Sequence, residues 1–119
     1  MRAVLDTGVL YHPSLLDALS REAVLVLPAV AFVERVRQLR RDHRDVDAFV
    51  ARLFAADIEV ESFGVREALG VSAITDEAWD EHARDAMIAA HVREGDVLWT
   101  TNPKDFAKLG LRPDQIRGV

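Results

Sequence analysis

Short apolar runs alternate along this chain with segments of helical periodicity, and this alternation limits the folds open to it. Strands are predicted over residues 2–5, 23–27, 58–63 and 96–101, with one more short strand at the C-terminal end. Helices are predicted at about 13–21, 28–41, 45–56, 64–70 and 75–93, with a helical turn over 103–109. Strands that alternate with helices form a largely parallel sheet. We therefore predict an α/β fold in which residues 1–119 form a single domain.

The expected ends of the later helices depend on glycine and on a capping side chain. Gly70 is expected to close the fourth helix and Gly95 to stop the fifth, because glycine is favoured just beyond a helix C-terminus. Thr75 is expected to cap the start of the fifth helix, where acidic residues follow in the first turn.

The composition is that of an ordinary globular protein. Half of the 119 residues are hydrophobic and 29% are charged. No apolar run approaches the ~20 residues of a membrane-spanning helix, and the N-terminus lacks the apolar segment of a secretory signal. A cytoplasmic location without membrane association is therefore expected. The net charge of −5 argues against a protein that coats nucleic acid non-specifically, since phosphate contacts need a basic surface. Cysteine is absent, which excludes disulfides and thiolate sites.

Four acidic residues lie beside apolar segments, where a carboxylate is costly unless something neutralises it. Asp6 ends the first strand, and Glu34 follows an apolar run in the second helix. Asp85 lies in an apolar part of the fifth helix, and Asp105 opens the last helical turn. Parallel sheets place ligand sites beyond the carboxyl ends of their strands, where Asp6 and Asn102 are expected. The pattern favours carboxylates that converge on a single divalent cation.

Three of these acids also have a purely structural interpretation. Asp6 can form a turn by accepting a hydrogen bond from the backbone two residues on. Glu34 can pair with Arg37 on the surface of its helix, and Asp105 can cap a helical turn. Asp85 has no comparable interpretation, because aspartate is a poor helix former and its helix is apolar nearly all round.

Basic side chains near the acids also allow two interpretations. His82 is either a second ligand or base near Asp85, or a histidine at the edge of the core, and we favour the latter. Five arginines fall within ten positions of the second helix and the connection after it: Arg35, Arg37, Arg40, Arg41 and Arg44. A guanidinium group suits phosphate recognition, although a solvated helix face is the interpretation we favour for this cluster.

Together these residues resemble a PIN-domain ribonuclease, and most of all the toxin of a VapBC-type toxin–antitoxin pair. The resemblance is carried by Val4-Leu5-Asp6-Thr7, by Glu34, by Asp85 through Ala90, and by Leu98 through Asn102 with Asp105-Phe106. It implies a PIN-like domain, a three-layer sandwich with a central, mostly parallel sheet flanked by helices. It also implies a catalytic quartet with three supporting polar residues: Asp6, Glu34, Asp85 and Asp105, supported by Thr7, Thr100 and Asn102.

The resemblance implies a metal-dependent endoribonuclease that leaves 5′-phosphate and 3′-hydroxyl ends. Asp6, Glu34 and Asp85 would hold Mg²⁺, or Mn²⁺ in its place, while Asp105 or Asn102 would orient water or a second ion. The implied partners are an RNA substrate, an antitoxin protein that masks the site, and a second copy of the chain in a homodimer.

Three other functions compete with this hypothesis. A PIN-like domain can persist as a protein-binding module whose catalytic site has decayed. Asp6-Thr7-Gly8 is also the tripeptide of aspartic proteases, although the many helical segments argue against that almost wholly β class. Hydrolysis of small phosphate esters has no glycine-rich phosphate loop to support it. We rank ribonuclease first, the binding module second and the protease a distant third.

Overall fold

A five-stranded, wholly parallel sheet runs through the protein, which a computed structural model describes over residues 1–119. Its strands, in chain order, are β1 (Arg2–Leu5), β2 (Val24–Pro28), β3 (Glu59–Glu61), β4 (Val97–Thr100) and β5 (Ile116–Gly118). Their order across the sheet is β3-β2-β1-β4-β5, and every adjacent pair is parallel. The predicted parallel α/β sheet, including the short C-terminal strand, is confirmed.

Six α-helices connect or follow these strands. They are α1 (Pro13–Ser20), α2 (Ala29–Arg41), α3 (Val46–Ala55), α4 (Val65–Ser72), α5 (Asp76–Ala89) and α6 (Pro103–Ala107). Two 3₁₀ helices that the sequence pattern did not indicate cover Thr7–Tyr11 and Pro113–Gln115. Among these helices, none combines the length and the apolar character needed to cross a bilayer.

The core lies against the central strands, which are apolar on both faces. Val4 of β1 pairs with Val26 of β2 on one side and with Leu98 of β4 on the other. All three side chains are almost completely buried. A parallel sheet is covered on both faces by its crossover connections, which explains why its central strands are continuous apolar runs.

Two of the predicted helix ends are wrong. Gly70 lies inside α4, which continues to Ser72. The fifth helix ends at Ala89, whereas the sequence pattern extends it to about residue 93. The α-helical pattern stops there because the His91 N–H donates to Ile88 O, three residues back, and not to a carbonyl four residues back. Gly95 has a φ of 86°, so it serves the later turn into β4 and does not end the helix.

The predicted start of the fifth helix is confirmed. Thr75 Oγ1 accepts a hydrogen bond from the N–H of Ala78 at 3.1 Å, and Asp76 and Glu77 occupy the first turn. Within α5, His82 departs from helical geometry with φ −136° and ψ 34°. This kink lies one turn before Asp85.

Candidate metal centre

Asp6 lies at the carboxyl end of β1, in contact with the neighbouring strand β4. Its backbone N–H donates to Trp99 O at 3.0 Å, which extends the pairing of the two strands by one residue. Its Oδ1 accepts from the N–H of Thr7 and its Oδ2 from the hydroxyl of Thr100, both at 2.8 Å. The side chain is 3% exposed. Asp6 therefore does more than form a local turn, because one carboxylate oxygen is fixed by a strand 94 residues away.

The polar residues expected to support the centre are connected to this carboxylate by hydrogen bonds, Thr7 and Thr100 directly and Asn102 through Thr100. Thr100 is completely buried, and its Oγ1 also accepts from the N–H of Asn102 at 3.0 Å. Asn102 is exposed and immediately precedes α6. The hydroxyl of Thr7 is buried and has no hydrogen-bond partner in the protein. A buried hydroxyl without a partner is costly, so an oxygen-seeking ligand at this position would stabilise it.

Asp85 and Asp105 reach the same region from α5 and α6. Asp85 is 7% exposed, whereas Asp105 is half-buried in the first turn of its short helix. One potential ligand atom from each of these residues and one from His82 all lie within 4.8 Å of one another. His82 thus lies close enough to be a ligand, as well as at the edge of the core.

The electrostatics of Asp85 link it to Asp6 as well as to Asp105. Burial raises the pKa of the Asp85 carboxyl, the guanidinium of Arg84 opposes that rise, and the charges of Asp6 and Asp105 add to it. His82 acts electrostatically in the same direction as Arg84, and the net effect is a raised pKa of Asp85. Asp85 is therefore a carboxylate whose negative charge is incompletely compensated by the protein.

Glu34 joins the centre through Arg84, a residue that the sequence pattern did not single out. Arg84 donates through Nη2 to Asp85 Oδ1 at 2.7 Å and through Nη1 to Glu34 Oε2. Burial acts to lower the pKa of Arg84, but its bond to Glu34 and the charges of Asp85, Glu34 and Asp6 raise it overall. Glu34 pairs across to α5 in this way, and it makes no salt bridge with Arg37.

The four predicted acids therefore lie in one region, but they are not all equally close to one another. Asp6 and Asp105 both act electrostatically on Asp85, and Glu34 is linked to Asp85 through Arg84. Neither Asp6 nor Glu34 belongs to the compact group formed by His82, Asp85 and Asp105. Carboxylate and hydroxyl oxygens are the donors that hard divalent cations prefer. The residues present, together with the unpartnered Thr7 hydroxyl, fit Mg²⁺ or Mn²⁺.

A second acidic group, also missed in the sequence pattern, has a structural explanation. His91 is fully buried, its Nδ1 lies 2.7 Å from Glu61 Oε1, and Glu67 is nearby at 3.8 Å. Arg2 and Arg93 form salt bridges with Glu61 at 3.0 and 3.4 Å. Two guanidinium groups already neutralise this carboxylate, so the group is an internal ion-pair network between elements.

The fold is shared with solved toxin–antitoxin structures, each less than 20% identical in sequence to this chain. The chain is similar to one in the VapBC2 complex of Rickettsia felis bound to a DNA fragment from its promoter, with a TM-score of 0.76 and 16% identity, covering 100% and 99% of the two chains. It is also similar to a chain of VapBC-1 from nontypeable Haemophilus influenzae, with a TM-score of 0.71 and 18% identity, covering 99% of this chain and 98% of that one. A chain of a toxin–antitoxin complex from Klebsiella pneumoniae has a TM-score of 0.68 and 19% identity, covering 97% of this chain and 95% of that one.

Sequence comparison identifies a family for this chain but no individual relative among curated proteins. No curated protein sequence matches the chain. The PIN domain family model, in contrast, matches residues 3–111, which include all four acids and the strands that position them. The parallel sheet, the structural neighbours and this match agree, and the chain belongs to the PIN domain family.

Proposed function

We propose that this protein is a metal-dependent endoribonuclease that hydrolyses RNA phosphodiester bonds and is the toxin of a type II toxin–antitoxin system. The observation that carries the proposal is the convergence of Asp6, Glu34, Asp85 and Asp105 from four separate elements beside the carboxyl end of the sheet. Membership of the PIN domain family, whose members are generally nucleases that use divalent metals, supports it.

In this proposal, Asp6, Glu34 and Asp85 hold Mg²⁺, which Mn²⁺ can replace. The ion would lower the pKa of bound water and stabilise the charge that develops on a phosphodiester. Thr100 holds the Asp6 carboxylate in place from the neighbouring strand. Asp105, close to Asp85 but less buried, is positioned to accept a proton from an attacking water or to orient it.

Arg84 has two roles available in this scheme. Between Glu34 and Asp85 its guanidinium offsets part of the repulsion between carboxylates. Once a cation takes over that role, the same guanidinium can bind an oxygen of the substrate phosphate, for which its planar fork is suited.

The toxin assignment brings two protein partners into the proposal. The structural neighbours are VapBC or toxin–antitoxin complexes, which supports an antitoxin partner for this chain. A homodimer and a cytoplasmic location, where RNA would be met, complete the proposal.

One observation favours a second candidate, a PIN domain that acts as a protein-binding module without catalysis. Arg84 already pairs with two of the proposed metal ligands, so a permanently closed centre would have the same contacts. This candidate and the nuclease differ in whether RNA is cleaved when metal is supplied.

Cleavage of end-labelled RNA with Mg²⁺ or Mn²⁺ tests the proposed function. We expect the wild-type protein to cut, and both EDTA and Asp85→Asn to abolish cutting. Asp80→Asn is a matched control, since Asp80 is an exposed aspartate of the same helix. Cutting that persists in Asp85→Asn would place the activity elsewhere. A wild-type protein that cuts no RNA while binding an antitoxin would support the binding module instead.

A further inference from the structure

A shallow groove of about 320 Å³ opens beside the candidate metal centre on α2. Glu34 and Arg84 belong to both the centre and the groove. The rest of the lining comes from α2, with two valines near its start and then Arg37, Gln38 and Arg41. The groove is therefore continuous with the acidic centre, but its other charged residues are basic.

The spacing of these residues puts them on one face of the helix. Arg37 and Gln38 follow Glu34 by three and four positions, and Arg41 follows it by seven. Residues at these intervals are neighbours on a helix surface. At a rise of about 1.5 Å per residue, the basic face extends about 10 Å away from Glu34.

The arginines of the groove have few partners within the protein. Arg37 is exposed and makes no hydrogen bond or salt bridge, and Arg41 has only the exposed Asp42 at 3.9 Å. Arg35 differs, because its guanidinium lies 4.3 Å from the ring centroid of Tyr11 and bonds to the Tyr11 hydroxyl. The cluster of arginines predicted from the sequence thus divides into one that is held internally and others free to bind an anion.

Gln38 adds a fixed neutral donor to the same face. Its Oε1 accepts from the hydroxyl of Tyr11 at 3.0 Å and from Arg35 at 3.4 Å. These two bonds hold the carboxamide, whose NH₂ group has no partner in the protein. A phosphate or sugar oxygen in the groove can accept from it.

Resting on the nuclease function proposed above, we propose that this groove binds the backbone of single-stranded RNA next to the bond that is cut. Arg37 and Arg41 each neutralise a phosphate, and Gln38 donates to the strand between them. A chain with a net charge of −5 and an acidic centre repels RNA, so a local basic face is needed to bring the polyanion to the carboxylates. An acidic peptide would meet the same arginines, but it has no phosphodiester to continue into the centre.

Binding measured without cleavage tests the groove independently of the nuclease. A fluorescently labelled single-stranded RNA would be titrated in EDTA, by anisotropy, at several salt concentrations. We expect Arg37→Gln/Arg41→Gln to weaken binding at least tenfold at low salt. The slope of log affinity against log salt should flatten by about 0.7 for each phosphate that the variant no longer neutralises. The matched control is Arg52→Gln/Arg66→Gln, which changes the net charge equally at two exposed, unpaired arginines of α3 and α4.

The outcomes separate the groove from the general charge of the protein. Equal weakening in both double variants would overturn the proposal, because total charge alone would explain it. Unchanged RNA affinity in Arg37→Gln/Arg41→Gln would also overturn it and would leave the groove as a surface for an acidic protein segment. Groove-dependent RNA binding by a protein that shows no metal-dependent cleavage would refute the nuclease function but support the groove. Metal-dependent cleavage by a protein whose RNA affinity is unchanged in Arg37→Gln/Arg41→Gln would support the nuclease function but refute the groove. Thermal unfolding of all variants would verify that each is folded.

Discussion

At the scale of single residues, Arg84 has the largest influence on the candidate centre. Its guanidinium bonds to Glu34 through Nη1 and to Asp85 through Nη2, and it opposes the effect of burial on the pKa of Asp85. A monovalent, partly exposed guanidinium compensates two carboxylates incompletely. The same contacts also compete with any cation for those oxygens.

Removing this guanidinium should strengthen metal binding. We expect Arg84→Gln to bind Mn²⁺ several-fold more tightly than wild type, because Glu34 and Asp85 lose a competing cation and their negative charge is no longer offset by the guanidinium. Free Mn²⁺ measured by electron paramagnetic resonance reports the affinity directly. Arg66→Gln, in α4, is the control for a general change of charge. Weaker Mn²⁺ binding in Arg84→Gln would mean that Arg84 positions the carboxylates and does not compete with the ion.

Single residues also show how far the site can be predicted from sequence. Asp6 and Asp85 stand out because a carboxylate among apolar residues is unusual, and the structure does bury both. Arg84 cannot be found in this way, since an arginine on a helix is ordinary. Its bond to Glu34, 50 residues away, depends on how α2 and α5 cross. The sequence pattern indicates the acids but not the residue that connects them.

At the scale of elements, the turn after β1 must pack tightly against the end of β4. A Cβ on Gly8 would lie 2.6 Å from Thr101 Oγ1 and 3.0 Å from Thr101 Cγ2. Rotation of the threonine does not relieve this contact, because both of its γ atoms are close. Because Gly8 has no side chain, the 3₁₀ helix Thr7–Tyr11 can approach the end of the strand that carries Thr100.

Gly8→Ala should separate these two elements. We expect a loss of about 1–3 kcal/mol in the free energy of unfolding, as for other overpacked sites, together with weaker Mn²⁺ binding. Urea unfolding measures the first effect. Thr101→Ala removes both γ atoms, so the double variant Gly8→Ala/Thr101→Ala should recover most of the lost stability. A double variant no more stable than Gly8→Ala would show that the cause is not this contact.

The helices and strands themselves follow closely from the sequence, but their ends do not. Alternating apolar runs and helical spacing predict each strand and each α-helix in the correct order. The helix end predicted at Gly70 is wrong because α4 continues past it to Ser72. The end of α5 is shortened by tertiary structure, since His91 leaves the helix and is fully buried beside Glu61. Local sequence does not reveal a partner 30 residues away.

At the scale of the whole molecule, the ion-pair network around Glu61 joins distant parts of the chain. Glu61 ends β3, Arg2 begins β1 and His91 follows α5. Burial acts to raise the pKa of Glu61, but its hydrogen bonds to His91 and Arg2 and the charges of Arg2 and Arg93 lower it overall. The ionised carboxylate is therefore stabilised by the folded state.

This network should make stability depend on pH in the acid range. A carboxyl group whose pKa is lowered by folding stabilises the protein above its ordinary pKa of 4.5, and that contribution is lost as the pH falls through the lower, folded value. We expect Glu61→Gln to cost about 2 kcal/mol in the free energy of unfolding near neutral pH. The difference from wild type should shrink below pH 4.5. Glu59→Gln, at an exposed position of the same strand, is the control, and urea unfolding across pH is the measurement. A difference that is constant with pH would contradict the role given to the charge of Glu61.

The pairing of β5 with β4 affects how this protein can be handled in the laboratory. Gly118 lies opposite Thr100, and the N–H of Val119 donates to Thr100 O at 2.9 Å. The hydroxyl of that same threonine holds Asp6. A purification tag or fluorescent fusion joined after Val119 would start beside the acidic centre, where a histidine-rich tag could itself capture the metal. Attachment ahead of Met1, at the opposite end of the sheet's strands, is the safer choice for every metal-binding and cleavage measurement.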